Sequence, residues 1–560
     1  MKSIVRYSLF FIAIISLATS CKKSVPAQTK YIPKGAMFVL DMDWKSLSEK
    51  AGKANINWDS LFSSAAGKNP SIADAKKRFE EFMHSGVDLE SNVFMFVQSG
   101  GSIMNGQTVS GGIVAGIKDA AVFESYIKKQ PEAGEVKKES NYSSITIMGD
   151  IFVGWNKDVV IVSGASTQGQ ENAGAATAAQ VLTPLFSQKE DESVASIPEF
   201  ADLVQEKGDI IVWTNSSNAL NTVPLLGLTK AADLLKDSYA GGKVNFEDGK
   251  VVADFKSYSG KDLAEIWKKY AGPAVNMDMV NQYPSPVSGF AAFSFNPEII
   301  TEIIKFAGME STANQFLDKA GFNLSDITKA FKGDFAIVFS DLGIKETENN
   351  YDGMKISGTG PVGKLLFNAA IGDKAAYDKI VTSLAKSGDM VEENGQFIPP
   401  GFDGISWNMN GKNLVIATDS TLVQPYLTGK GNASLPADIA EKSKGKSVAI
   451  YLNINQVLQS ISGDSSTHKS IEMAKGTFKD MMVTSDNFNG KYVGSNFQLT
   501  LVNDKENSLA ALIKFFAAFS KQIEHQQKKF MEEEMGDMDM NGMDMDSTGV
   551  AKPAPDMKEQ

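Results

Sequence analysis

Cysteine is nearly absent: Cys21 stands alone among 560 residues. No intrachain disulfide can form, and neither a thiol enzyme nor a cysteine-based zinc site is expected. Histidine is almost as scarce, with only His84, His468 and His525. None stands in an H-E-x-x-H arrangement, and each is set in polar or helical sequence that suits a surface position. No G-x-S-x-G elbow nominates a serine. The sequence therefore offers no catalytic residue, no metal ligand and no cofactor site. Basic residues are outnumbered, 55 Lys and Arg against 67 Asp and Glu, for a net charge of −12 at pH 7. That balance argues against nucleic acid as a partner, because phosphate binding needs a basic patch. Beyond the first 20 residues no apolar run is long enough to cross a bilayer. Leu509–Phe519 (LAALIKFFAAF) is short, carries Lys514, and suits a core helix.

What is present begins with a targeting segment. Lys2 and Arg6 precede a short apolar core, Leu9–Leu17, and the small residues Ala18, Thr19 and Ser20 lead to Cys21. Residues 1–20 are set aside from fold reasoning. The arrangement resembles a bacterial lipoprotein signal, in which the cysteine is acylated, as by palmitate, and becomes the mature N-terminus. Such signals favour Leu three places before the cysteine; here Leu17 lies four before. Each buried CH₂ of an acyl chain contributes about 0.8 kcal/mol, so a multiply acylated Cys21 would hold the chain firmly on a membrane. Lys22, Lys23 and Ser24 follow, without the acidic residues of surface-export signals. The sorting pattern implies the periplasmic face of the outer membrane. Residues 21–32 are expected to be a tether.

The rest of the chain carries an internal duplication. A short module recurs four times: an apolar run ends in Asp or Asn, and a helix-like stretch follows. The copies are Ala36–Leu47, Asp209–Leu220, Phe290–Ile300 and Ser447–Leu458. Asp43, Asn296 and Asn455 are candidate helix caps, since a short polar side chain can accept the free N–H groups of a first turn. At larger scale Asp43 aligns with Asn296, Ile117 with Ile371, Phe123 with Tyr377, and Trp213 with Tyr451. The changing offset assigns Gln168–Gln180 to a loop of the first copy and Glu346–Gly363 to a loop of the second. Asp248–Gly249 and Asn410–Gly411 are hairpin signals. Strand hairpins mixed with helices predict an α+β fold: two similar repeated domains, 33–275 and 280–528, with largely antiparallel or mixed sheets covered by helices. Residues 531–560 are expected to form a disordered Met- and Asp-rich tail. Its thioethers suit Cu(I), but high charge and the lack of aromatics after Phe530 favour a solvated end.

The segments IPKGAMFVLDMDWKSLSEKAG (32–52), SGVDLESNVFMFVQ (85–98) and GFNLSDITKAF (321–331), together with the signal, resemble an uncharacterised family of Bacteroidota lipoproteins carrying a domain of unknown function. The resemblance covers most of the mature chain and is structural, so it implies no catalytic residue.

Three patterns imitate chemistry. Gly358–Lys364 (GTGPVGK) matches a phosphate-loop spacing, but Leu365 replaces the Ser or Thr that would hold Mg²⁺. The following LLFNAAIG is strand-like, so the stretch is expected to connect strands. Asp41 and Asp43 resemble a carboxylate pair, yet the second copy has Ser294 and Asn296, which favours capping. Asp59-Ser60-Leu61, Asp419-Ser420-Thr421 and Asp546-Ser547-Thr548 resemble a short periplasmic O-glycosylation pattern. The expectation is a membrane-anchored, non-catalytic envelope lipoprotein, a binding or assembly module for an envelope protein or glycan. The alternative is an envelope hydrolase with no sequence signature.

Overall fold

A computed structural model describes residues 25–523, apart from 55–76, 78–79, 103–105, 169–176, 218–229, 352–353, 394–395, 401–404, 410 and 462–467. In chain order its strands are β1 Phe38–Asp43, β2 Val87–Asp88, β3 Asn92–Ser102, β4 Gly106–Ile117, β5 Lys137–Lys138, β6 Ser143–Ile147, β7 Ile151–Trp155, β8 Val159–Gln168, β9 Ile210–Asn215, β10 Tyr239–Glu247 and β11 Lys250–Tyr258. They continue with β12 Gly289–Ser294, β13 Phe331–Tyr351, β14 Met354–Ile371, β15 Val391–Glu393, β16 Gln396–Ile398, β17 Ser406–Met409, β18 Asn413–Ala417, β19 Val448–Leu452, β20 Phe478–Ser485 and β21 Tyr492–Leu501.

Every described pairing is antiparallel. The order runs β5-β6-β7-β8-β4-β3-β1-β9-β10-β11, then β21-β20-β19-β12-β13-β14-β18-β17. The two runs meet where β11 pairs with β21, from Lys250 opposite Thr500 to Tyr258 opposite Tyr492. Strands from both halves of the chain therefore share one sheet. The fold is α+β, with a large antiparallel sheet.

Side chains alternate across a strand, so each strand divides its residues between two faces. On the first face, Val39, Phe94, Ile211 and Trp213 are buried under the helices Ala178–Ser187 and Pro198–Gln205. Phe200 meets the Trp213 ring edge-on at 5.5 Å. Phe290, Ala292, Ala449 and Tyr451 form the matching core of the other half, under Val423–Leu427 and Ala437–Ser443. On the opposite face, two smaller clusters lie towards the ends of the sheet. Ala120–Ile127 packs Phe123 against Trp155, and Lys374–Ser387 packs Tyr377 against Phe331. Asp119 and Asp373 cap these two helices, each accepting two backbone N–H bonds.

The paired positions fall as follows. Asp43 caps Trp44–Gly52 by accepting from Ser46 N–H at 2.9 Å. Asn296 accepts from Glu298 N–H at 3.1 Å, with Pro297 at the helix start. Asn455 is not a cap: Asn453 accepts from Gln456 N–H, two residues earlier than expected. Ile117, Ile371, Trp213 and Tyr451 are all buried.

Several expectations are corrected. Gln168–Gln180 is not one loop, because Gln168 ends β8 and Thr177 opens a helix with a capping box to Gln180. Glu346–Gly363 is not a loop either. Its described residues are strand, since β13 and β14 pair out to Tyr351 opposite Met354. Residues 27–32, expected to belong to a tether, are folded: Ala27–Tyr31 is a 3₁₀ turn with Thr29 buried and Ile32 beside it in the first core. The helix over 508–523 leaves Phe516 58% exposed, so it is not wholly core.

Removing the Asp43 carboxylate should orphan a first-turn N–H. Asp43→Ala is expected to cost about 1 kcal/mol in chemical denaturation, and Asp43→Asn only a few tenths. Equal losses for the two variants would show that Asp43 acts by charge rather than by capping.

Candidate functional site

The described cysteine-free, histidine-poor core holds few groups suited to chemistry. His84 and His468 are exposed. Gly358–Lys364 lies inside β14, with Gly358 opposite Thr347 and Lys364 opposite Ser340. It is a strand rather than the connection expected, and no helix begins directly after it; the next starts at Lys374. Lys364 instead reaches Asp419 at 3.3 Å and Asp341 at 3.8 Å. Asp419 is itself a cap, accepting from Thr421 N–H at 2.9 Å. Cys21, His525, Asp59–Leu61, Asp546–Thr548 and the Met-rich tail lie outside the described residues.

Asp41 and Asp43 share one face of β1 but serve different ends. Asp41 is 2% exposed and accepts from Asn92 Nδ2–H at 2.7 Å, while its Oδ2 has no hydrogen-bond partner. Burial, less the effect of the Asn92 bond and with a contribution from the Asp43 charge, pushes its carboxyl up to about 7. The nearby Asp209 is satisfied: Lys50 Nζ lies 2.5 Å away, and Ser46 Oγ and Phe246 N–H each donate at 2.6 Å. Asp41 is thus enclosed, and Asp43 is engaged at the helix start. A carboxyl that is harder to ionise folded than unfolded stabilises the fold most below its ordinary value of 3.8. That stability is lost as pH rises through 7. The stability difference between wild type and Asp41→Asn should therefore move by a few kcal/mol towards the variant from pH 4 to pH 8. A pH-independent difference would refute the buried-acid account.

The unusual feature is the second face of the sheet. An antiparallel sheet with one packed face commonly turns polar side chains outward on the other. Here one row crosses eleven strands and is apolar throughout: Val93, Met42, Ile210, Val244, Ala253, Phe497, Val483, Ile450, Ala291, Ile337 and Phe367. The next row adds Phe246, Val251, Leu499, Met481, Leu452, Gly289, Phe339 and Leu365. At about 4.8 Å between strands, eleven strands span roughly 50 Å. In the first row all but Ala253 are half-buried, as expected where each side chain has flanking neighbours but no lid among the described residues. Met95, Ile113, Phe255 and Leu365 on the same face are 36–44% exposed. Between Met42 and Ile337 none of the first row belongs to a buried cluster. The sequence carried this signal in its apolar strands, but periodicity could not tell a covered face from an open one.

A family model described as "Domain of unknown function (DUF4836)" matches residues 28–350. The chain belongs to this family. The DUF4836 match begins within the first 3₁₀ turn and runs into β13, so it takes in strands from both halves of the sheet. No curated protein matches the chain. Two solved structures resemble it weakly. "Structure of crystal form III of TP0453" has 11% identity and a TM-score of 0.24, over 46% of this chain and 91% of that one. "Structure of crystal form I of TP0453" has 10% identity and a TM-score of 0.23, over 43% and 81%. Likeness at that level carries no argument about fold or function.

Proposed function

We propose that this protein is a lipid-anchored component of the cell envelope that binds hydrocarbon chains on its open sheet face and catalyses no reaction. The observation that carries the proposal is the apolar row from Val93 to Phe367. Exposed apolar patches larger than a few hundred Å² mark binding sites. The occupant is argued from what the face lacks. Its backbone groups are engaged in the ladder, and its central side chains offer few hydrogen-bonding atoms. Hydrocarbon needs none. A second copy of the same face is a poorer fit, because strands twist by roughly 20–25° each and two broad twisted sheets meet over only part of their width. Flexible acyl chains follow the twist. Each CH₂ removed from water contributes about 0.8 kcal/mol.

The anchor rests on the sequence before Cys21, and with it the placement on the outer membrane facing the periplasm. The proposal also holds that the two halves descend from one unit, on the pairing order. β1 lies between β3 and β9, as β12 lies between β13 and β19. Both orders then continue through a hairpin, β10–β11 in one half and β20–β21 in the other.

Two measurements test this. Cys21→Ala should release the protein from the membrane fraction; retention after high-salt washing would sink the anchor. The same soluble variant should bind a fluorescent fatty acid saturably, with phospholipid competing. Adding Met95→Asp and Phe255→Asp should weaken binding at least tenfold, which is 1.4 kcal/mol. Unchanged affinity, or a stable dimer that binds no acyl probe, would refute hydrocarbon binding.

A further inference from the structure

The helix-covered face changes character at the centre of the sheet. In both halves its strands point apolar side chains into the cores under the helices. Where the halves meet, the register instead places Lys243 opposite Asp254, Asp254 opposite Asn496, and Asn496 opposite Thr484. Gln498 lies two residues further along β21 on the same face. Polar groups packed under a helix without partners would lose their hydration uncompensated. The helices accordingly stand aside. Pro198–Gln205 packs Phe200 and Leu203 into the first core, and Ala437–Ser443 packs Ile439 into the second. Between them runs a polar groove with β11 and β21 along its floor. A cavity of about 320 Å³ opens over Thr484, Asn496 and Gln498, beside Lys442. Another of about 370 Å³ lies over Tyr239 and Tyr258.

The groove is held in shape by its own contacts. Asn496 Nδ2–H donates to Asp254 Oδ1 at 2.8 Å. Gln498 Nε2–H donates to Thr500 Oγ1 at 3.0 Å, and Gln498 Oε1 accepts from Lys442 Nζ at 3.5 Å. Most of its charges are paired: of the lysines lining the first cavity, Lys442 reaches Asp438 at 3.5 Å and Lys446 reaches Asp486 at 2.6 Å, with Lys444 and Glu441 beside them. Glu206, at the end of the first wall helix, pairs with Lys256 and, at 3.4 Å, with Lys243. Burial pushes its carboxyl up, but the hydrogen bonds and charges of these two lysines outweigh it and hold it below the usual range. At the Tyr258 end the ring of Tyr492 stands edge-on at 5.5 Å, and Lys491 sits 5.7 Å from the Tyr258 ring centre.

We infer that this groove is a second binding site, for a neutral polyhydroxyl chain such as an oligosaccharide. Fixed amides and carboxylates present donors and acceptors side by side, which hydroxyl groups can satisfy in either sense. Paired charges leave little field to attract an anion. The floor strands are internal to the sheet, so a peptide has no free edge to extend. The site is on the face opposite the hydrocarbon-binding one and does not rest on that proposal.

The test titrates the Cys21→Ala chain calorimetrically with neutral gluco-, xylo- and chito-oligosaccharides of three to six residues. Polygalacturonate and an uncharged hexapeptide are the controls. One neutral series should bind, more tightly with length. Asn496→Ala with Gln498→Ala should weaken it at least tenfold, and the exposed Lys442→Ala severalfold. Both variants should keep wild-type thermal unfolding and fatty-acid affinity. Binding by none of the neutral series, tighter binding of polygalacturonate or peptide, or unchanged affinity in both variants would overturn the assignment.

Discussion

The pairing of β11 with β21 is the constraint on which the rest depends. Each strand ends a run of pairings within its own half, and each would otherwise present a row of unpaired N–H and C=O groups. Joining them removes two sheet edges, which are sites of aggregation. It also makes a single sheet from what could have been two. The long register from Lys250–Thr500 to Tyr258–Tyr492 leaves little freedom for a hinge at that point.

Both candidate sites are consequences of this join. On one face, helices cover each half but not the seam, and the seam residues are polar and mutually bonded. On the other, the join lines up two apolar faces into one broad surface. Ala253 and Phe497 stand opposite each other at its centre, as Asp254 and Asn496 do on the reverse side. Two neighbouring residues on each strand thus divide the apolar face from the polar one. A register slip of one residue would exchange them and put charge on the apolar face.

The same alternation explains where the residues that imitate chemical sites lie. Asp41 and Asp43 point to the core side of β1. One meets Asn92 inside the sheet and the other the start of a helix. GTGPVGK sits in a two-stranded extension, where glycine ends no strand and cradles no phosphate.

The α+β class, the antiparallel hairpins and the cap at Asp43 were legible because they are local. Alternation, turn residues and first-turn hydrogen bonds act over a few positions. The exclusion of cysteine chemistry likewise needs only composition. Errors arose where tertiary contacts won. The 346–363 stretch lacks an apolar pattern, yet pairing with its partner strand makes it sheet. Asn453 rather than Asn455 caps its helix because the strand ends sooner than the apolar run suggested. Alternation in β10, β11, β20 and β21 is visible in sequence, but not which side the helices take. By itself the sequence determined the elements and the chemistry that could not occur. Only the tertiary structure decided which apolar face stays open and where the polar seam falls, because both depend on pairing residues some 240 positions apart.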